Sequence, residues 1–114
     1  MGSEYREIRS SEELAAALRE SEERSVLFFK HSSTCGISER AFREFEKYLA
    51  SPESEGTSHY LITVQTAREV SNELARTTGV RHESPQAILV RDGRAVWNES
   101  HLALKKDALA AARG

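Results

Sequence analysis

The sequence has one cysteine and two prolines among its 114 residues, and it has no long hydrophobic run. A single cysteine excludes a disulfide-stapled scaffold, and a domain of this length buries enough surface to fold without one. No segment approaches the roughly 20 consecutive apolar residues that span a bilayer, and the N-terminus is polar where a secretory signal is apolar. These absences predict a protein of the reducing cytoplasm that does not associate with membranes.

An excess of positive charge is also missing, since 16 basic and 18 acidic side chains give a net charge of −2. Nucleic-acid-binding domains are usually basic, so we expect no nucleic-acid partner. The sequence has no glycine-rich phosphate loop, no helical His-Glu-x-x-His and no serine nucleophile elbow. His59, His82 and His101, with Glu83 and the lone cysteine, lack the spacing of metal ligands, so no metal site is predicted.

Hydrophobic periodicity predicts alternating strands and helices in one domain over residues 1–114. Strands are predicted at 4–8, 26–29, 60–64, 87–90 and 95–97, and helices at about 11–21, 35–49, 67–77 and 102–112, with a loop over 51–58. Ser10 or Ser11 is expected to cap the first helix, Gly79 to end the third, and Asp92-Gly93 to turn a hairpin. Crossover helices join parallel strands, so this order predicts an α/β, thioredoxin-like fold with a mixed central sheet flanked by helices.

Cys35 lies where the second helix is predicted to begin. The preceding Ser32, Ser33 and Thr34 are all possible caps for that helix. A lone cysteine in a cytosolic domain is a small buried hydrophobic residue about as often as it is a reactive thiol. A position at a helix start favours the thiolate, which is the form that attacks disulfides. Cys35 is therefore the predicted nucleophile. The upstream Lys30 and His31 are more often solvated surface residues, and no catalytic role is assigned to them.

Two further positions shape the predicted site. Ser38 stands three residues after the cysteine, where Cys-x-x-Cys redox proteins carry the resolving thiol. A serine there indicates a one-cysteine mechanism, or it only satisfies local backbone groups. The Ser84-Pro85 bond, directly before the hairpin, is predicted to be cis, with backbone groups of Ser84 free to pair with an extended substrate.

Several segments together resemble the monothiol bacilliredoxin family, thioredoxin-fold proteins associated with bacillithiol. The resemblance covers nearly the whole chain. Its segments are Lys30-His31-Ser32, Thr34-Cys35-Gly36-Ile37-Ser38, Val70-Ser71-Asn72, Thr78-Gly79-Val80, His82-Glu83-Ser84-Pro85-Gln86, Asp92-Gly93, Ala95-Val96-Trp97 and Ser100-His101.

The resemblance implies a thiol-disulfide oxidoreductase that takes bacillithiol from S-bacillithiolated proteins onto Cys35, after which reduced bacillithiol resets it. Bacillithiol is then a co-substrate, no cofactor is tightly bound, and the protein is a monomer or weak dimer. The family often has proline where this chain has Gly36, which leaves the first helical turn looser. The residues expected to bind the substrate are Thr34, Gly36, Ser38, Ser84 and Pro85.

Two alternatives remain from the sequence. The Cys35-Gly36-Ile37-Ser38 segment also resembles the Cys-Gly-Phe-Ser signature of monothiol glutaredoxins, which hold iron-sulfur clusters between two subunits. The Gly-Gly and paired aspartates that glutaredoxins carry after the cis-proline are missing after Pro85. The other alternative is a non-enzymatic thioredoxin-like stress or adaptor protein, in which Cys35 is unreactive.

Overall fold

A computed structural model describes residues 3–112, and within that range five strands and four α-helices alternate as the periodicity predicts. The strands are β1 (Tyr5–Glu7), β2 (Val26–His31), β3 (Ser58–Thr63), β4 (Gln86–Arg91) and β5 (Arg94–Ser100). The helices are α1 (Ser11–Glu20), α2 (Gly36–Leu49), α3 (Arg68–Thr78) and α4 (Lys106–Ala111), with short 3₁₀ turns at Pro52–Ser54 and His101–Ala103.

The strands form one mixed sheet in the order β1-β3-β2-β4-β5. β3 runs parallel to both β1 and β2, whereas β4 is antiparallel to β2 and to β5. This arrangement confirms the predicted mixed central sheet. Because β2 and β3 are parallel and β4 runs the other way, the ends of β2 and β3 lie at the same edge as the start of β4.

Helices cover both faces of the sheet, which explains the unbroken apolar run at the start of β2. Its side chains alternate between two buried clusters. Val26 and Phe28 pack on the face that holds Leu14 of α1 and Leu74 of α3. Leu27 and Phe29 pack on the opposite face, with Phe45 of α2 and Leu109 of α4. A strand buried on both faces needs no polar alternation.

Local signals place two of the helix ends. Ser10 caps α1 in a capping box, where its hydroxyl accepts from the Glu13 backbone and the Glu13 carboxylate accepts from the Ser10 backbone. Gly79 ends α3 in the left-handed conformation, with φ of 73°. Both predictions are confirmed, because capping chemistry acts within one turn of the chain.

The predicted last helix is wrong at its start. It was expected from residue 102, but α4 begins at Lys106, and residues 101–103 form a 3₁₀ turn instead. β5 stays paired with β4 as far as Ser100 opposite Gln86, and His101 then adopts φ of 57° while its N–H donates to the Pro85 carbonyl at 3.0 Å. Pairing with β4 therefore extends β5 beyond residue 97, and the 3₁₀ turn that follows delays the start of α4. Between Ser3 and Ala112 no helix is both long and apolar enough to cross a membrane.

Candidate active site

The candidate site lies at the edge of the sheet where β2 and β3 end and β4 begins. His31, the last residue of β2, pairs with Thr63, the last residue of β3. On the other side of β2, Lys30 pairs with Gln86, the first residue of β4. The loop that leads to Cys35 and the loop that ends at Pro85 therefore leave the sheet at the same edge.

Cys35 is the N-cap residue of α2, with extended backbone angles of φ −113° and ψ 125°. Its thiol is partly exposed and free, and it makes no capping hydrogen bond to the first turn. The first N–H groups of a helix have no partner within the helix, and together with the helix dipole they favour an anion at this end. The predicted caps Ser32, Ser33 and Thr34 do not occupy the N-cap position, so that expectation is wrong.

Ser38, in the first turn of α2, is completely buried. Its Oγ accepts a hydrogen bond from the Ser32 N–H at 2.8 Å and lies 2.9 Å from His31 Nδ1. Burial lowers the pKa of His31, which favours the neutral ring beside the Ser38 hydroxyl. The position of a resolving thiol is thus filled by a hydroxyl that ties the start of α2 to the end of β2, which confirms that Ser38 satisfies a nearby backbone group.

Gln65, just after β3, holds the loop in front of Cys35. Its side-chain oxygen accepts from the Ser33 N–H at 3.2 Å, and its Nε2 donates to Ser32 Oγ at 2.8 Å and to Thr34 Oγ1 at 3.1 Å. The Thr34 hydroxyl is therefore engaged by the segment that follows β3. No sequence signal singled out Gln65, because the contact joins segments about 30 residues apart.

The Ser84-Pro85 peptide bond is cis, as predicted. The proline carbonyl accepts from His101, whose ring Nε2 lies 3.3 Å from a carboxylate oxygen of Glu83. The Oγ of Ser84 is buried and has no hydrogen-bond partner among residues 3–112. The loop is thus held at its proline by the turn that follows β5.

Lys30 supports the same loop from beneath. It is 0% exposed, and its Nζ donates to the Ser71 carbonyl at 3.0 Å and lies 3.2 Å from His82 Nδ1. Burial lowers the pKa of Lys30 to about 8. Burial, followed by the charge of Lys30, also lowers the pKa of His82. The neutral His82 ring therefore accepts at Nδ1, and it ties the chain before Pro85 to β2 and α3.

The expectation that Lys30 and His31 are solvated surface residues is wrong. β2 continues two residues beyond the predicted end and is paired on both sides, so Lys30 is fully buried and His31 half-buried. The missed signal is the position of Lys30 at the end of a strand predicted to be buried on both faces. A cation there must find polar partners inside the protein.

Of the predicted site residues, Thr34, Cys35, Gly36 and Ser38 lie together around the start of α2, and Ser84 and Pro85 lie on the neighbouring loop at the same edge. Gly36 is the first residue of α2, and a Cβ there would meet no atom within 4 Å. The site therefore combines a free thiol at a helix start with an open surface beside it. In the part of the chain from 3 to 112, no three His, Cys, Asp or Glu side chains converge as metal ligands.

Comparison with known proteins identifies the family to which this chain belongs. A family model described as Monothiol bacilliredoxin BrxC matches residues 6–109. A solved structure of a candidate oxidoreductase with a thioredoxin fold is 33% identical, with a TM-score of 0.81 over 93% of this chain and 90% of that one.

Two thioredoxins are similar in structure at low identity. The Malassezia sympodialis thioredoxin is 18% identical with a TM-score of 0.77, over 97% of this chain and 88% of its own. The Trypanosoma brucei brucei thioredoxin is 15% identical with a TM-score of 0.76, over 96% and 88%. These likenesses confirm the thioredoxin-like fold.

Proposed function

Because the chain belongs to the monothiol bacilliredoxin family, a group of thioredoxin-fold oxidoreductases, we propose that it removes bacillithiol from S-bacillithiolated proteins with Cys35 as the nucleophile. The observation that carries the proposal is the setting of Cys35. Its thiol is free at the N-cap of α2, and the place of a resolving thiol is occupied by the buried hydroxyl of Ser38. A protein with this arrangement can form one mixed disulfide at Cys35 and cannot resolve it through an internal disulfide.

In the proposed first step, the Cys35 thiolate attacks the bacillithiol sulfur of the mixed disulfide on a client protein. A disulfide forms between Cys35 and bacillithiol while the client's disulfide breaks, and the client sulfur leaves as a thiolate that takes up a proton. In the second step, the thiolate of a free bacillithiol molecule attacks the bacillithiol sulfur held on Cys35. This step releases bacillithiol disulfide and returns the Cys35 thiolate, so no cofactor is needed.

The neighbouring residues have positioning roles in this proposal. The free N–H groups of the first turn, beginning at Gly36, stabilise the attacking and the departing thiolate of Cys35. The backbone of Ser84 pairs with the extended segment of the client on either side of its modified cysteine, and Pro85 shapes that groove. Ser38 and Thr34 keep the approach to the thiol fixed through their contacts with β2 and Gln65.

The proposal is tested with a purified client that carries one bacillithiol on one cysteine. Wild-type protein is expected to return the client to its unmodified mass and to gain one bacillithiol itself, whereas Cys35→Ala should leave the client modified. Removal at the same rate by Cys35→Ala, or no removal by wild type, contradicts the proposal. A visible absorption band in freshly purified protein supports the iron-sulfur carrier instead, and a Cys35 that reacts with no disulfide supports an adaptor.

A further inference from the structure

A groove of about 410 Å³ runs beside the candidate site, between α2 and the chain that follows β5. One wall is a stripe of α2 residues three or four apart, which includes Ile37, Arg40 and Glu44. The other wall comes from the 3₁₀ turn and the residues before α4, which include Leu102 and Lys105. Other depressions on the described surface have similar volumes, so the residues that line this groove, and not its size, single it out.

Both walls of the groove include residues that neighbour the candidate active site. Ile37 lies two residues after Cys35, in the same first turn of α2. On the other wall, His101 donates its N–H to the carbonyl of Pro85. Arg40 stands five residues beyond the cysteine, about 7–8 Å along the helix axis. The groove therefore begins at the turn of α2 that follows Cys35, and its other wall touches the Pro85 loop.

The charges along the groove are unbalanced. Glu44 is the acidic residue of the lining, and its carboxylate already accepts from the Lys106 N–H at 2.8 Å and from Lys47 Nζ at 2.9 Å. Arg40 and Lys105 are exposed, and within the described range neither side chain has a hydrogen bond or an ion pair within 4 Å. The charge of Lys105 also acts on the Glu44 carboxylate, which Lys47 and the Lys106 backbone already engage, so positive charge exceeds negative charge along the groove.

Two exposed apolar side chains line the same groove. Ile37 is 42% exposed and Leu102 is 56% exposed, although large aliphatic side chains are usually buried. Arginine binds carboxylates through two parallel hydrogen bonds, and lysine contributes a point charge. The complementary ligand is a small molecule with a compact middle part and carboxylates at the end remote from its sulfur.

We propose that this groove binds the malate end of bacillithiol while its sulfur is joined to the client or to Cys35, with Arg40 and Lys105 as the carboxylate-binding residues. The inference rests on the proposed function, because it assigns the small thiol of that reaction to a subsite. It makes Arg40 and Lys105 specificity residues that favour a dicarboxylate thiol over a neutral one.

The test compares two forms of one peptide, carrying on its single cysteine either bacillithiol or cysteinyl-glucosamine, which lacks the malate. Transfer to wild-type Cys35 is expected to be roughly threefold to tenfold faster from the bacillithiol form at low salt, the size of effect that exposed charge pairs produce. The variant Arg40→Gln/Lys105→Gln should transfer both groups at the slower rate. The control Arg43→Gln/Arg76→Gln loses the same charge away from the groove and should keep the preference.

The outcomes separate this inference from the proposed function. Transfer of both groups at equal rates by wild type, or a preference that survives in Arg40→Gln/Lys105→Gln, overturns the groove assignment and leaves the proposed function standing. Equal slowing of both peptides by that variant also overturns it, because the groove then holds the client polypeptide.

Binding without transfer gives an independent measurement. S-methyl bacillithiol is titrated onto Cys35→Ala protein, with and without the changes at Arg40 and Lys105. We expect the affinity to fall by a similar roughly threefold to tenfold when both cations are removed. An unchanged affinity refutes the groove even if wild type transfers neither group and the proposed function itself fails.

Discussion

If the proposed function is correct, replacing Ser38 with cysteine should convert a protein that keeps bacillithiol on Cys35 into one that releases it. Residues three apart on a helix have Cβ atoms about 5–6 Å apart, and a disulfide needs about 3.5–4.5 Å. The first turn must therefore tighten slightly, and Gly36, with open space around it, permits that adjustment. A second thiol on the same turn has an effective concentration of about 1 mM or more, so it outcompetes a free thiol present at 10 µM by about 100-fold.

The substitution also has a cost that the structure makes explicit. Ser38 Oγ accepts from the Ser32 N–H at 2.8 Å and contacts His31 Nδ1 at 2.9 Å, and the side chain is completely buried. Sulfur is a weak acceptor, and weakening the part-buried bond from the Ser32 N–H costs about 1 kcal/mol. Reduced Ser38→Cys should therefore unfold at lower urea concentration than wild type.

Intact-mass analysis after reaction with a bacillithiolated client distinguishes the species. Wild type should carry one bacillithiol, and Ser38→Cys should be two hydrogens lighter than its reduced form, with the bacillithiol released. Ser38→Ala is the matched control, because it loses the same hydrogen bonds without gaining a thiol, and it should keep the adduct. If Ser38→Cys accumulates the same adduct as wild type, the assignment of position 38 as the resolving position is refuted.

Two other changes test residues around the site. Gly36→Pro should raise the free energy of unfolding by about 0.4–1 kcal/mol, because position 36 opens α2, a Cβ there meets no atom and the extended Cys35 tolerates a following proline. A lower urea midpoint for this variant would contradict that reasoning. For Lys30, burial lowers the pKa from 10.5 to about 8, so the cost of holding the ammonium inside is fully present below pH 8 and disappears as the pH rises towards 10.5. Relative to Lys30→Met, wild type should gain up to about 3 kcal/mol of stability over that window in urea unfolding, and parallel pH profiles for the two proteins would show that Lys30 is not desolvated.

Short-range patterns in the sequence were enough to predict most of the architecture. The apolar run from Val26, the capping serine before α1 and the glycine after α3 each act within a few residues, and they predict the order of strands and helices correctly. The same local reasoning places Cys35 at the start of a helix and Ser38 one turn further on. The cis bond before Pro85 followed from its place in the predicted strand order, since a proline alone is usually trans.

The contacts that hold the site together depend on pairings across long stretches of chain. Lys30 is buried because β2 is paired on both sides, and its partner His82 lies 52 residues away. Gln65 reaches Ser33 across 32 residues.

The sequence by itself thus determined the fold class and the position of Cys35 at the start of a helix, because propensity, capping and periodicity are local. Only the tertiary structure decided which polar residues are buried, what supports the Pro85 loop and where the groove beside Cys35 lies. The physical reason is that burial and the hydrogen bonds it demands are properties of segments brought together by the sheet, and residue spacing carries no record of them.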